Sequence, residues 1–477
     1  MPTTNGNRQI LDLKRWEQVT PAPSASAAGS FISSSRHFKQ NQLYVNGTTS
    51  AFLYNPNEDG WVQLPSPALA GTLSAGASAT AGAWSTGTAI AASLTATGGT
   101  TSTIVTNQTL ARSLAGYSIH ILAGPNSGVT LQIVSNTIGA NATITVAAQA
   151  SAFSASTVYR LCTPVWYVLG AGTLAAGSFR KYDYATNTWT TLTITGLAAS
   201  LGTDGKLVAT PSWIDQDYIP LASGTATSAT ATTLVNSGKA WTASQWVNSQ
   251  IRIVSGTGAG QIRTITANDA TSVTVATWTI TPDATSVYQI TGNDNFLYYM
   301  GNNAVTLYRY DIAANTWSTL TPVAARAAAP GAGMSGHWIY GVTNSTWTAE
   351  NSIINGRRIY SFRGAAGAVV DYYDIAANTW VSGVTYAPAT ETFTTGTKYA
   401  YYGDFIYIQK DATNRWFKYD IAGNAMDGWN TMPVVQGAAI VGDTCFDVEY
   451  QDGTTIIVYV YMLMNTSTLM YRQMAIQ

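Results

Sequence analysis

Cysteine is nearly absent from this chain, with Cys162 and Cys445 the whole complement in 477 residues. Two thiols exclude a disulfide framework and a zinc ligand set, and leave either a single bridge or two buried free thiols. Stability therefore has to come from packing. Charge is scarce as well: charged residues are 10% of the chain and sum to −1, against roughly 25% in ordinary soluble domains. Without a basic run, the chain has no global attraction for nucleic acid or an anionic membrane. It also lacks the roughly 18 uninterrupted apolar residues that a spanning helix needs. The N-terminal residues lack the basic start and apolar stretch of a secretory signal, so assembly in a cytoplasm is expected. The three histidines, His37, His120 and His337, stand in unrelated contexts without metal-site spacing.

What the chain does have is aromatic residues and a repeat. Hydrophobic residues reach 46%, with 15 Trp and 27 Tyr, which excludes a disordered composition. Three copies of one phrase recur: Tyr182-Asp183-Tyr-Ala-Thr-Asn187-Thr-Trp189, Tyr310-Asp311-Ile-Ala-Ala-Asn315-Thr-Trp317 and Tyr373-Asp374-Ile-Ala-Ala-Asn378-Thr-Trp380. Looser copies are Tyr419-Asp420-Ile-Ala-Gly-Asn424 before Trp429, Tyr54-Asn55-Pro-Asn57 before Trp61, and Asp12 before Trp16. Each reads as a β-hairpin: a strand ending at Tyr-Asp, a turn whose Asp and Asn bond nearby backbone, and a Trp that plugs the space between sheets. Upstream of the plug lie short aromatic strands, Val165–Gly170, Phe296–Gly301, Arg358–Gly364 and Asp404–Ile408, that often stop at glycine.

These motifs resemble the kelch family of β-propellers, although the glycine doublet usual in kelch repeats is missing. The resemblance implies an all-β, six-bladed propeller with plugs at Trp16, Trp61, Trp189, Trp317, Trp380 and Trp429, closed by the N-terminal strand. Five or seven blades follow if the looser copies are not equivalent.

Spacing reveals two insertions. Trp61 to Trp189 and Trp189 to Trp317 are each 128 residues apart, whereas Trp16 to Trp61 is 45. The extra segments align with each other: Ile119-His-Ile121 with Ile251-Arg-Ile253, Gly124–Gly128 with Gly256–Gly260, and Val158–Leu161 with Val287–Ile290. Alternating apolar and polar residues between Gly, Asn and Asp turns predict two small antiparallel β modules on one face. The expected segmentation is propeller at 1–69, a low-complexity stretch and first module at 70–161, propeller at 162–222, second module at 223–290, and propeller at 291–477.

Catalytic constellations are sparse. Asp215 and Asp217 share one strand face and form a conceivable hydrolase pair, as do Asp443, Asp447 and Glu449, but solvated turn carboxylates explain them more simply. Asn57-Glu-Asp-Gly-Trp61 is faintly similar to the Asp-box turn of sialidase propellers, without its serine or arginine triad. Gly256-Thr-Gly-Ala-Gly260 lacks the Lys-Ser/Thr of a phosphate loop and reads as a hairpin turn. The two-His, two-Tyr and crosslinked-Cys set of copper radical oxidases is not found. The expectation is a protein with no catalytic, cofactor or metal residues and no cofactor.

The modules, especially residues 224 to 290, are similar to segments of tailed-bacteriophage virion proteins. That resemblance implies a non-enzymatic structural component of a virion, assembled in the host cytoplasm and placed in the tail or neck in the manner of a nozzle. Its expected partners are other virion proteins and copies of itself, in a homo-oligomer. The alternative is a carbohydrate- or receptor-binding propeller in a fibre or head decoration that meets a host surface glycan. A polysaccharide hydrolase is a third.

Overall fold

The computed structural model describes residues 16–27, 29–34, 41–47, 49–56, 58–70, 78–84, 94–202, 205–209, 220–301, 304–331, 334–338, 358–364, 367–394, 396–402, 405–435, 445–452, 455–464 and 467–475. Their regular structure is entirely β, in a propeller-like arrangement. Five separate antiparallel sheets of four strands span 31–63, 206–320, 337–385, 398–431 and 445–475, the last taking Glu17–Val19 as its outer strand. A ten-stranded sheet contains a further run of the same pattern, in which Val158–Leu169 lies between Ser78–Trp84 and Phe179–Asp183, and Thr188–Thr191 is outermost.

The central strands read as unbroken apolar runs because both of their faces are covered. In Phe296–Met300, Leu297 and Tyr299 pack towards Tyr167, Phe179 and Trp317, while Tyr298 and Met300 pack towards Ile359 and Trp380. The same two-sided burial is repeated between the other sheets. Trp166 and Val168 meet Leu43 and Leu53; Phe362 meets Ile406 and Tyr419; Tyr407 and Trp416 meet Val460 and Met462; and Tyr461 and Met470 meet Ile32 and Tyr44. The first strands also touch in turn: Phe31–Ser34, Ser78–Trp84, Lys206–Ala209, His337–Trp338, Lys398–Tyr402 and Cys445–Asp452, the last again touching Phe31–Ser34.

The hairpin motif has one geometry. Asn187, Asn315, Asn378 and Asn424 all sit at positive φ, between 48° and 54°, a region that Asn tolerates better than most residues. In each, the Oδ1 accepts from the Tyr hydroxyl five residues earlier, at 2.8, 2.6, 2.7 and 2.9 Å. Asp59, at φ 45°, does the same for Tyr54 at 2.7 Å. Directly across the hairpin, Tyr54, Tyr182, Tyr310 and Tyr373 face Trp61, Trp189, Trp317 and Trp380, with ring centroids 5.0–5.5 Å apart. Three of these indoles donate to a carbonyl just beyond the preceding sheet's outer strand: Trp61 to Thr20, Trp189 to Pro65 and Trp317 to Thr193.

Two expected plugs differ. The residue opposite Tyr419 is Met426 rather than Trp429, because Asn424 is followed by Ala-Met where the other copies have Thr-Trp. Trp429 instead meets Tyr407, Trp416 and Trp16, so Trp16 and Trp429 share one aromatic cluster and do not plug two equivalent hairpins.

Candidate functional site

Both modules grow from the connection between the first and second strands of neighbouring sheets, after Ser78–Trp84 and after Lys206–Ala209. In the first module the pairing runs from Gly98–Gly99 through Thr103–Val105, Thr143–Val146, Thr130–Asn136 and Ser118–Ala123 to Val158–Leu169, which then pairs back with Leu94–Thr95. The second repeats this circuit from Ser228–Ala229 to Val287–Thr291 and back to Ala222–Thr225. In each module the pairing thus curls back to one continuous segment, 94–99 in the first and 222–229 in the second, to give a small barrel, and each has its own core, with Ile119, Ile121 and Tyr159 in one and Ile251, Ile253 and Tyr288 in the other.

The two barrels meet through equivalent surfaces. A Cβ on Gly128 would lie 2.7 Å from the Val254 carbonyl, and one on Gly260 would lie 2.0 Å from that of Leu122. Val254 is the counterpart of Leu122, so the contact is nearly two-fold, with each barrel offering the same patch. Both glycines have φ near 90° as well, at 86° and 90°. Ser127 Oγ crosses the junction to the Ala259 carbonyl at 2.8 Å. This close approach accounts for glycine at both positions, where a side chain would clash with the facing carbonyl.

On the axis sit His120 and its counterpart Arg252. The guanidinium Nη2 lies 3.3 Å from His120 Nδ1, which also shares a 2.8 Å hydrogen bond with Thr130 Oγ1. Arg160 is opposite His120 in the adjacent strand and forms a 3.3 Å ion pair with Asp294, in the link leading back to the propeller. Burial, then the charges of Arg252 and Arg160, hold the imidazole well below its ordinary value, so it stays neutral between two cations. Cys162 is a buried free thiol, pushed up to about 12 chiefly by burial. The thiol is therefore held in its protonated, less reactive form at neutral pH.

The first module is also fastened to the propeller hairpin. Arg112 reaches Asn187 Oδ1 at 2.5 Å and lies over the Tyr184 ring at 5.0 Å, and Tyr117 OH accepts from Asn41 Nδ2 at 2.9 Å.

The remaining sequence candidates fall elsewhere. Asp215, Asp217, Asp443, Asn57 and His37 lie outside the described residues, as do the side chains of Asp447, Glu449, His337 and Cys445. Asp59 is a turn residue that also accepts from the Thr20 amide at 2.9 Å, which accounts for the Asp-box likeness. Among the described residues no group of His, Cys, Asp and Glu could hold a metal ion, and no helix is long and apolar enough to cross a membrane. The sequence offered no route to the His120–Arg252 contact, since a lone histidine and a lone arginine 132 residues apart become neighbours only once the barrels are side by side.

No protein-family model matches the chain, and no curated protein matches it. Among solved structures, one chain from the "Crystal Structure of Mitotic Checkpoint Complex" aligns over 97% of this chain and 94% of its own, at 9% identity and a TM-score of 0.37. A likeness that low carries no argument about function.

Proposed function

We propose that the chain is a non-enzymatic structural component of a tailed-bacteriophage virion, tail-associated and nozzle-like. In this reading a kelch-like propeller of six blades, closed by the N-terminal strand, is a rigid platform, and the paired barrels contact other subunits. The run Ser78–Trp84, Val158–Leu169, Phe179–Asp183 and Thr188–Thr191 would be the sixth blade. The contact of Cys445–Asp452 with Phe31–Ser34 and the pairing of Glu17–Val19 with Met470–Ala475 support the closure.

The observation that carries the assembly reading is the double fastening of the modules, to each other at Gly128 and Gly260 and to the propeller at Arg112 and Asp294. Two appended barrels held this way project as one stiff body, which is what a subunit contact requires if little ordering entropy is to be lost on assembly. The small net charge of −1 repels copies of the chain only weakly. Mass spectrometry and cryo-electron microscopy of purified phage particles test the reading: the chain is expected in stoichiometric copies at the tail, and its absence from the particles would overturn it.

A further inference from the structure

The contact on the junction axis fits only one protonation state. A guanidinium can donate but not accept, so Arg252 Nη2, 3.3 Å from His120 Nδ1, requires a lone pair on that nitrogen and hence a neutral ring. A second proton would put an N–H on Nδ1 and set two donors against each other. The surroundings add positive charge. Arg160 stands directly opposite His120 in the adjacent strand, and Thr130, on the other side, brings only a hydroxyl. From the second barrel come Arg252 and, turned away to Thr277 and Thr279, Arg263. His120 has no titratable neighbour on its own strand, Ser118–Ala123. Cys162, on the same strand face as Arg160, is held as the neutral thiol. Among the described residues the carboxylate of this cluster is Asp294, already committed to Arg160 at 3.3 Å. A protonated His120 is thus a third cation in a buried cluster with one anion.

The two barrels can relieve that repulsion by parting. Each has its own core, so separation need not unfold either. The first barrel is fixed: Val158–Leu169 runs unbroken from it into the propeller, and Arg112 and Tyr117 tie it down. The second is joined differently, because its last strand ends at Thr291 and the propeller strand begins at Phe296, with Gly292 in the link between them. Moving the second barrel carries Arg252 away from His120, whereas Arg160 stays. We propose that His120 is an acid-sensitive latch: when its imidazole takes up a proton, the second barrel swings away from the first about residues 292–295 while the propeller stays folded. The ring is held below its ordinary value of 6.5 in the closed junction and returns towards it once the junction opens, so the closed form is favoured above about pH 6.5 and loses ground as the pH falls.

The latch concerns the chain in solution, so it stands or falls apart from the virion reading. Cys162, 1% exposed in the closed junction, reports the opening. The test is labelling of the full chain with 4,4′-dithiodipyridine, the Cys162 peptide being followed by mass spectrometry and its rate divided by that of the urea-unfolded chain at the same pH. The ratio should rise about thirtyfold from about pH 7.5 to 5.0, the uptake of one proton by an imidazole of ordinary pKa. It should stay flat in His120→Gln and rise no more than about threefold in Arg252→Gln, which lacks the opposing charge; either variant serves if the other does not fold. Amide exchange in Phe296–Met300 should remain slow throughout. A parent ratio that changes less than about threefold, an equal rise in the variants, or exchange in Phe296–Met300 that accelerates in step with the labelling would each overturn the proposal.

Discussion

Asn315 shows how much one turn residue carries. Its Oδ1 takes the Tyr310 hydroxyl at 2.6 Å and the Thr193 amide at 3.2 Å, while its backbone sits at φ 52°. Asn315→Ala loses both bonds and leaves in the left-handed region a residue that tolerates it less well than Asn, so a loss of about 2–3 kcal/mol is expected in urea titrations. Asn315→Gly, which is free of the backbone strain, should recover about 1 kcal/mol. His120 makes a second prediction. Its folded value lies below the ordinary 6.5, so in mildly acidic solution the unfolded chain binds a proton that the folded chain refuses. The stability present above about pH 6.5 is then lost as the pH falls. Between about pH 7 and 5 the parent should lose some 1–2 kcal/mol more than His120→Gln; equal slopes would mean that the imidazole takes up its proton beside Arg252 and Arg160.

At the level of elements, the hairpins were readable and the barrel junction was not. Tyr, Asp, Asn and Trp at fixed intervals mark a turn because their bonds are local, mostly within five residues. The glycines of Gly256–Gly260 were legible as a turn, but their purpose depends on Leu122, in a different module. Gly260→Ala would drive its methyl into the Leu122 carbonyl and strain a φ of 90°. The barrels should separate, at a cost of at least about 2 kcal/mol, with faster amide exchange in Ser118–Ala123 and Gln250–Ser255 and little change in Phe296–Met300. Unaltered exchange in the first two strands would show that the junction tolerates the methyl group.

For the whole molecule, the telling strand is a short one. Glu17–Val19 covers the edge of Met470–Ala475, Glu17 pairs with Arg472 at 2.9 Å, and the Thr20 carbonyl receives the Trp61 indole. Removing residues 1–20 would expose that edge and empty the Trp16 place beside Trp416 and Trp429. A loss of about 3 kcal/mol or more, with concentration-dependent association, is expected from thermal melts and light scattering. A monomeric truncation melting like the parent would count against the proposed closure.

The sequence alone determined the all-β character, the repeated hairpin and the existence of two related inserts, because these rest on periodicity and on bonds between residues near in the chain. It overcounted equivalent plugs, since Trp429 falls three residues past the register position that Met426 holds. Only the tertiary structure decided that the barrels share a nearly two-fold junction with His120 and Arg252 at its centre. Those contacts join residues more than a hundred positions apart, and no local pattern encodes which distant surfaces will meet.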